Sequence, residues 1–105
     1  LLTHTSGIAY GLNPPEPLKK QFADAKLADG LNPEDPTLEA NVKKLATIPL
    51  AHQPGTAWLY GMNTDVLGRV VEVASGKAFD VFLADRIFTP LKMTDIAFRV
   101  PQDKA

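Results

Sequence analysis

No cysteine occurs in this chain of 105 residues. That excludes disulfides, thiolate nucleophiles and cysteine-based zinc sites. Long apolar runs are missing too, and none approaches the roughly 18 residues of a membrane-spanning helix. Neither sign of charge dominates: the formal net charge is −1, and the only adjacent basic pairs are Lys19-Lys20 and Lys43-Lys44. Neither a nucleic acid nor a membrane is therefore expected as a partner. Histidine is scarce. His4 and His52 stand far apart and neither has a carboxylate at helical ligand spacing, so no metal site and no cofactor is expected.

What is present is ordinary for a globular protein, with 45% hydrophobic and 22% charged residues, and the length allows one domain at most. The opening Leu1-Leu2-Thr3 has no initiator methionine, no basic stretch and no polar cap. It reads as the interior of a helix. The expectation is that residues 1–105 are a single fragment of a larger domain, with any targeting segment outside it.

Along the chain, Leu1 to His4 is expected to be a helix end, stopped by Gly7 in a left-handed conformation. Ile8 to Pro17 holds Gly11, Asn13, Pro14, Pro15 and Pro17, a composition hostile to regular structure. A helix from Leu18 to Ala28 follows, with Leu18, Phe22, Ala25 and Leu27 on one stripe and Gly30 as its stop. Asp35-Pro36 reads as the start of a second helix, Thr37 to about Thr47, with Leu38, Val42, Leu45 and Ala46 inward. The clearest element is Asn63 to Ser75. Asn63 is its expected N-cap, Asp65 suits the positive end of its dipole, and Val66, Leu67, Val70, Val71 and Ala74 form its apolar face. Phe79 to Phe88 reads as a further helix with Phe79, Phe82, Leu83 and Ile87 inward, broken by Thr89-Pro90. Ile96 to Val100 reads as a short strand.

The segment Pro54-Gly55-Thr56-Ala57-Trp58-Leu59-Tyr60 sets a tyrosine hydroxyl at a turn just before the helix at Asn63. Such a turn can hold a phenol at the mouth of a pocket, near helix N-terminal amides that steady negative charge. Packing of a half-buried ring against the following helix explains the same residue, and both readings stand on the residues alone. Trp58 reads as packing beneath the turn. Tyr10 and the proline-rich loop read equally as pocket lining or as plain surface.

LLTHTSG at Leu1–Gly7 and PGTAWLYGMNTDVLGRVVEVASGKAFDVFLADRIFTPLKMTD at Pro54–Asp95 together resemble the serine β-lactamase and penicillin-binding-protein superfamily. Within it they resemble the class C-like branch, and family VIII carboxylesterases above all. The resemblance covers over half the chain, in the family's order. It implies a helical subdomain of a β-lactamase-like α/β fold, so the fold class expected here is mainly α with a short strand near the C-terminus. In the family a Ser-x-x-Lys pair lies upstream of the His-Thr-Ser-Gly segment, and the tyrosine of a Tyr-x-Asn-like motif maps onto Tyr60. Neither Ser6 nor Ser75 has lysine three residues on, since Ala9 and Ala78 stand there, so the nucleophilic serine and its lysine are expected outside this chain. The branch's β-lactamases carry asparagine two residues after the tyrosine. Here Met62 holds that place and Asn63 comes one later, which is closer to the esterases.

The implied chemistry is acyl transfer through a serine, with Tyr60 helping to take and return the proton, His4 and Asn63 supporting it, and Tyr10, Trp58 and Met62 lining the pocket. A free phenol titrates near pH 10, so a phenol that acts as a base at neutral pH needs about 4 kcal/mol of differential stabilisation, which a nearby ammonium can supply. The absent lysine is the natural source. His52 and Arg69 are the nearest cationic candidates in sequence. The implied partners are a small-molecule ester or amide substrate and the missing remainder of the α/β domain, with self-association of the fragment through uncovered helical faces. The alternatives are a β-lactamase or D-alanyl-peptide hydrolase and, in a different class, a non-catalytic relative that binds a ligand or partner. The compartment is left open between the cytoplasm and the periplasm of a bacterium.

Overall fold

In the computed structural model, which describes residues 1–28, 36–100 and 102, regular structure is helical and no strand occurs among the described residues. A 3-10 turn at Glu16–Leu18, with proline early in it, leads into α1, Lys19–Ala25. The helix ends at Lys26, whose φ of 47° is left-handed. The expected stop, Gly30, lies outside the described residues, as does Asp35. Thr37 caps α2 (Leu38–Leu45) instead, its hydroxyl accepting from the Ala40 N–H at 3.3 Å, with Glu39 in the first turn and Lys43 and Lys44 in the last, as the dipole favours. Helix α3 spans Asn63–Ser75, the bounds read from the sequence. Helix α4 (Phe79–Leu83) continues as a π-helical turn, Ala84–Phe88.

The chain divides into two compact units, Leu1–Arg69 and Val70–Ala105. In the first unit Ala9, Leu18, Phe22, Leu45, Ile48 and Met62 form the buried core, with Tyr10, Ala25, Leu27, Leu59 and Val66 packed against it. One polar residue on α2 is buried beside this core. The Asn41 side chain accepts from the Ala28 N–H at 2.9 Å and donates to the Ala28 carbonyl at 3.0 Å, tying the end of the α1 segment to α2. A buried amide is tolerated because both its donor and its acceptor are used.

Two stretches without regular structure hold each other in the first unit. Amides of residues 51–62 donate to carbonyls of residues 4–9: Leu59 to His4 at 2.9 Å, Gly55 to Thr5 at 2.7 Å, Ala51 to Gly7 at 2.8 Å, and Met62 to Ala9 at 3.3 Å. Glycine permits the approach. Gly7 has φ +83°, and a Cβ there would stand 2.3 Å from the His52 carbonyl oxygen; at Gly61 it would stand 1.8 Å from that of Ile8. Leu1 to His4 is a turn rather than the expected helix end, closed by His4 N–H donating to the Leu1 carbonyl at 3.1 Å. Gly7 is left-handed as expected, but to let this crossing form rather than to stop a helix.

In the second unit the Glu72 carboxylate accepts the Phe79 N–H at 3.1 Å, a cap for α4 that Ala78 cannot provide. Thr89 N–H donates five residues back to Ala84, at 2.9 Å. That wider turn carries the chain off the expected stripe, and Ile87, expected inward, is exposed. The expected strand at Ile96–Val100 is not formed, and Ile96, Phe98 and Val100 are exposed. A strand exists only where a neighbour takes up its backbone hydrogen bonds, and none of the described residues does so here. Phe98 instead meets Phe79, ring centroids 5.8 Å apart. On α3, Val70 and Ala74, also expected inward, are exposed.

Two outcomes test these contacts. Replacing Gly61 with alanine should cost about 3 kcal/mol, the upper range for overpacking, in urea unfolding of the protein; an unchanged midpoint would contradict the crossing. Glu39 accepts from Lys43 at 2.6 Å and pairs with Arg69 on α3 at 3.1 Å, and these, the Lys43 bond first, hold its carboxyl below the ordinary range. A carboxyl depressed on folding stabilises above its unfolded pKa, and that benefit is lost as pH falls through the folded value. The small stability difference between the wild type and Glu39→Gln should therefore be present at neutral pH and disappear in acid, once pH has fallen through the depressed folded value.

Candidate functional site

The crossing of the two irregular stretches gathers the polar and aromatic groups of the first unit in one place. His4 sits at the turn after Leu1 with φ 53°, a left-handed conformation that costs a non-glycine residue about 1 kcal/mol or more. In that conformation its carbonyl receives the Leu59 N–H and its ring stacks on Tyr60, centroids 4.8 Å apart and planes 27° apart. Trp58 meets the same imidazole edge-on at 6.3 Å, and Tyr10 meets Tyr60 edge-on at 5.8 Å. These offset and T-shaped arrangements are the favourable ones for ring quadrupoles. Tyr60 remains 57% exposed and Trp58 67%. The phenol therefore lies at the surface of this unit, with its ring fixed by histidine on one side and tyrosine on another.

Beneath the rings lies Asn63, 1% exposed. It is the first residue of α3 and not its cap, because the Val66 N–H already donates to the Met62 carbonyl at 3.2 Å. Its side chain does other work. The Ser6 hydroxyl donates to Asn63 Oδ1 at 2.5 Å, the Ile8 N–H donates to Ser6 Oγ at 3.1 Å, and Asn63 Nδ2 faces His4 Nδ1 at 3.1 Å. Burial leaves Asn63 no direct contact with a molecule arriving from solvent.

Met62, 4% exposed, belongs to the core, and with Tyr10 it also walls a cleft of about 220 Å³. Gly11, Leu12, Phe22, Lys26 and Leu27 complete most of that cleft. Trp58 does not line it. Neither cationic candidate is simply available: Arg69 pairs with Glu39, and His52 packs its backbone against Gly7 while its Nδ1–H donates to the Gln53 carbonyl at 2.9 Å. Among the described residues no group of three His, Asp or Glu could hold a metal ion, and no helix is long and apolar enough to cross a membrane.

Sequence reasoning brought Tyr60, His4 and Asn63 forward together but gave Ser6 no part except as a rejected nucleophile. It assigned Asn63 to capping. The pairing of residues 6 and 63 depends on a crossing that no local pattern encodes, so nothing short of the fold could have found it.

A family model described as Beta-lactamase matches residues 1–105. Esterase EstB of Burkholderia gladioli is 38% identical over 98 residues, covering 93% of this chain and 24% of that protein. Lovastatin esterase of Penicillium rubens is 42% identical over 100 residues, covering 93% and 23%. A solved structure described as "EstCE1, a hydrolase with promiscuous acyltransferase activity" aligns with a TM-score of 0.76 at 31% identity, over 87% of this chain and 23% of that one. The chain thus spans about a quarter of the length of the curated relatives it matches.

If the buried amide organises this cluster, Asn63→Ala should lower the unfolding free energy by about 2 kcal/mol, since it strands the Ser6 hydroxyl and His4 Nδ1. Tyr60→Phe, which removes only an exposed hydroxyl, should stay within about 0.5 kcal/mol of wild type. Thermal unfolding of the two variants checks the order, and equal losses would contradict it.

Proposed function

The chain belongs to the beta-lactamase family, and from that premise we propose that it is part of a serine hydrolase that cleaves carboxylic esters through an acyl-enzyme. One observation carries this reading: the exposed Tyr60 ring is stacked on His4 of the LLTHTSG segment, which supports a phenol presented at a fixed place. The names of the relatives, two of them esterases, favour an ester over a β-lactam. Met62 in place of an asparagine two residues after Tyr60 points the same way.

In the proposed reaction a serine outside this chain attacks the ester carbonyl and its hydroxyl proton passes to the Tyr60 oxygen. The carbon–oxygen bond to the leaving alcohol breaks, and Tyr60 returns the proton to that alcohol. Water, or a second alcohol, then gives its proton to Tyr60 as it attacks the acyl-enzyme, and the serine recovers a proton as the acid or new ester departs. The second route makes the same site an acyltransferase, in keeping with the description of EstCE1. The lysine paired with the serine supplies the positive charge that lets a phenol serve as base.

We assign the acyl chain to the cleft walled by Tyr10, Leu12, Phe22 and Met62, which shares its Tyr10 wall with Tyr60. Its mainly apolar lining, Lys26 aside, and its small volume suit a short acyl group. The exposed apolar side chains of the second unit, among them Val70, Val73, Val81 and Phe98, are where the remainder of the longer protein would pack.

The test has two arms. Residues 1–105 alone should show no turnover of p-nitrophenyl butyrate, while the full-length protein hydrolyses it and prefers it to nitrocefin. In the full-length protein Tyr60→Phe should reduce kcat by about a hundredfold or more. Turnover by the 105-residue chain, or full activity of the phenylalanine variant, would refute the reading.

A further inference from the structure

The Ser6–Asn63–His4 chain has a direction, and that direction selects one form of the histidine. A hydroxyl has one hydrogen to give and two lone pairs to receive with. One lone pair of Ser6 Oγ is taken by the Ile8 N–H, so the hydroxyl hydrogen is free to go to Asn63 at 2.5 Å. Asn63 Oδ1 receives it. That orients the buried amide with Nδ2 toward His4 Nδ1, at 3.1 Å, where it can only donate. The reverse orientation would put the amide's N–H toward Ser6 and leave the hydroxyl hydrogen unspent in a part-buried site, which is costly. An Nδ1 that accepts carries no hydrogen, so a neutral imidazole must carry it on Nε2.

We propose that Asn63 is a positioning residue: it fixes His4 as the Nε2–H tautomer, in the ring plane that stacks on Tyr60. It acts through His4 and touches no reacting atom, in keeping with its burial. The His4 ring in turn limits the tilt of the phenol, with planes 27° apart, which restricts where the Tyr60 oxygen can point. The left-handed backbone at His4 is the strain that sets this ring against both partners. The catalytic consequence rests on the role proposed for Tyr60; the tautomer does not.

Nitrogen-15 NMR of the full-length protein labelled at histidine reads the tautomer directly. With His4→Gln identifying the signal, the wild type should show hydrogen on Nε2 and none on Nδ1. The isosteric Asn63→Asp offers acceptors only, so it should move a hydrogen onto Nδ1. In kinetics it should lower kcat by at least about tenfold while KM changes little, as expected for misaligned reacting groups. In a His4→Phe background, which keeps a stacking ring without Nδ1, the same substitution should cost nothing further. An Nδ1–H tautomer in the wild type, or losses from the two sites that simply add, would overturn the inference. Full activity of Tyr60→Phe would instead refute the role of the tyrosine, whatever the tautomer.

Discussion

The arrangement of the first unit depends on two irregular stretches of chain satisfying each other's backbone. Residues 51–62 supply amides and residues 4–9 supply carbonyls. Neither stretch forms a helix: Gly7 interrupts the first, and Pro54, Gly55 and Gly61 interrupt the second. Left apart, their polar groups would stay with water. Brought together, they place His4 against Tyr60 and Ser6 against Asn63 although more than half the chain separates each pair in sequence. The contact is possible because at Gly7 and Gly61 there is no side chain where the opposing carbonyl comes to lie. A backbone crossing of this kind is a firmer support for a site than side-chain packing alone, since it fixes the Cα positions from which the functional groups extend.

Much of this was legible from local signals, and what was not was nonlocal. The bounds of α3 follow from its flanking turn and closing Ser75-Gly76, and Leu18, Phe22 and Leu45 fall on the buried stripes that helical periodicity marks. The strand expected at Ile96–Val100 failed because alternation describes only one side of a ladder, and a pairing partner is not written in the same segment. Ile87 turned outward because a π-turn shifts the register, which a regular period cannot anticipate. Asn63 misled for a different reason. Its type and place match a helix cap, while its amide had a stronger claim from two residues at the other end of the unit.

The family resemblance carried by LLTHTSG and by the run from Pro54 stands on the comparisons with known proteins. The structure gives a physical reason for the two motifs to occur together: the first supplies the ring and hydroxyl that hold the second. Tyr60 is exposed yet held by ring contacts with His4 and Tyr10, the combination that the proposed role of its hydroxyl requires. Met62 links that residue to the core on one side and to the cleft on the other, so the turn bearing the phenol is anchored two residues beyond it.

The central claim is that Tyr60 exchanges protons with a serine brought by another part of the longer protein. A crystal structure of that protein trapped with a phosphonate ester tests it most directly, because the reagent marks the reactive serine covalently. The account places the Tyr60 hydroxyl within hydrogen-bond reach of the labelled serine oxygen, about 3 Å, with the His4 ring still stacked behind it. A label on a serine that the phenol faces away from would contradict it.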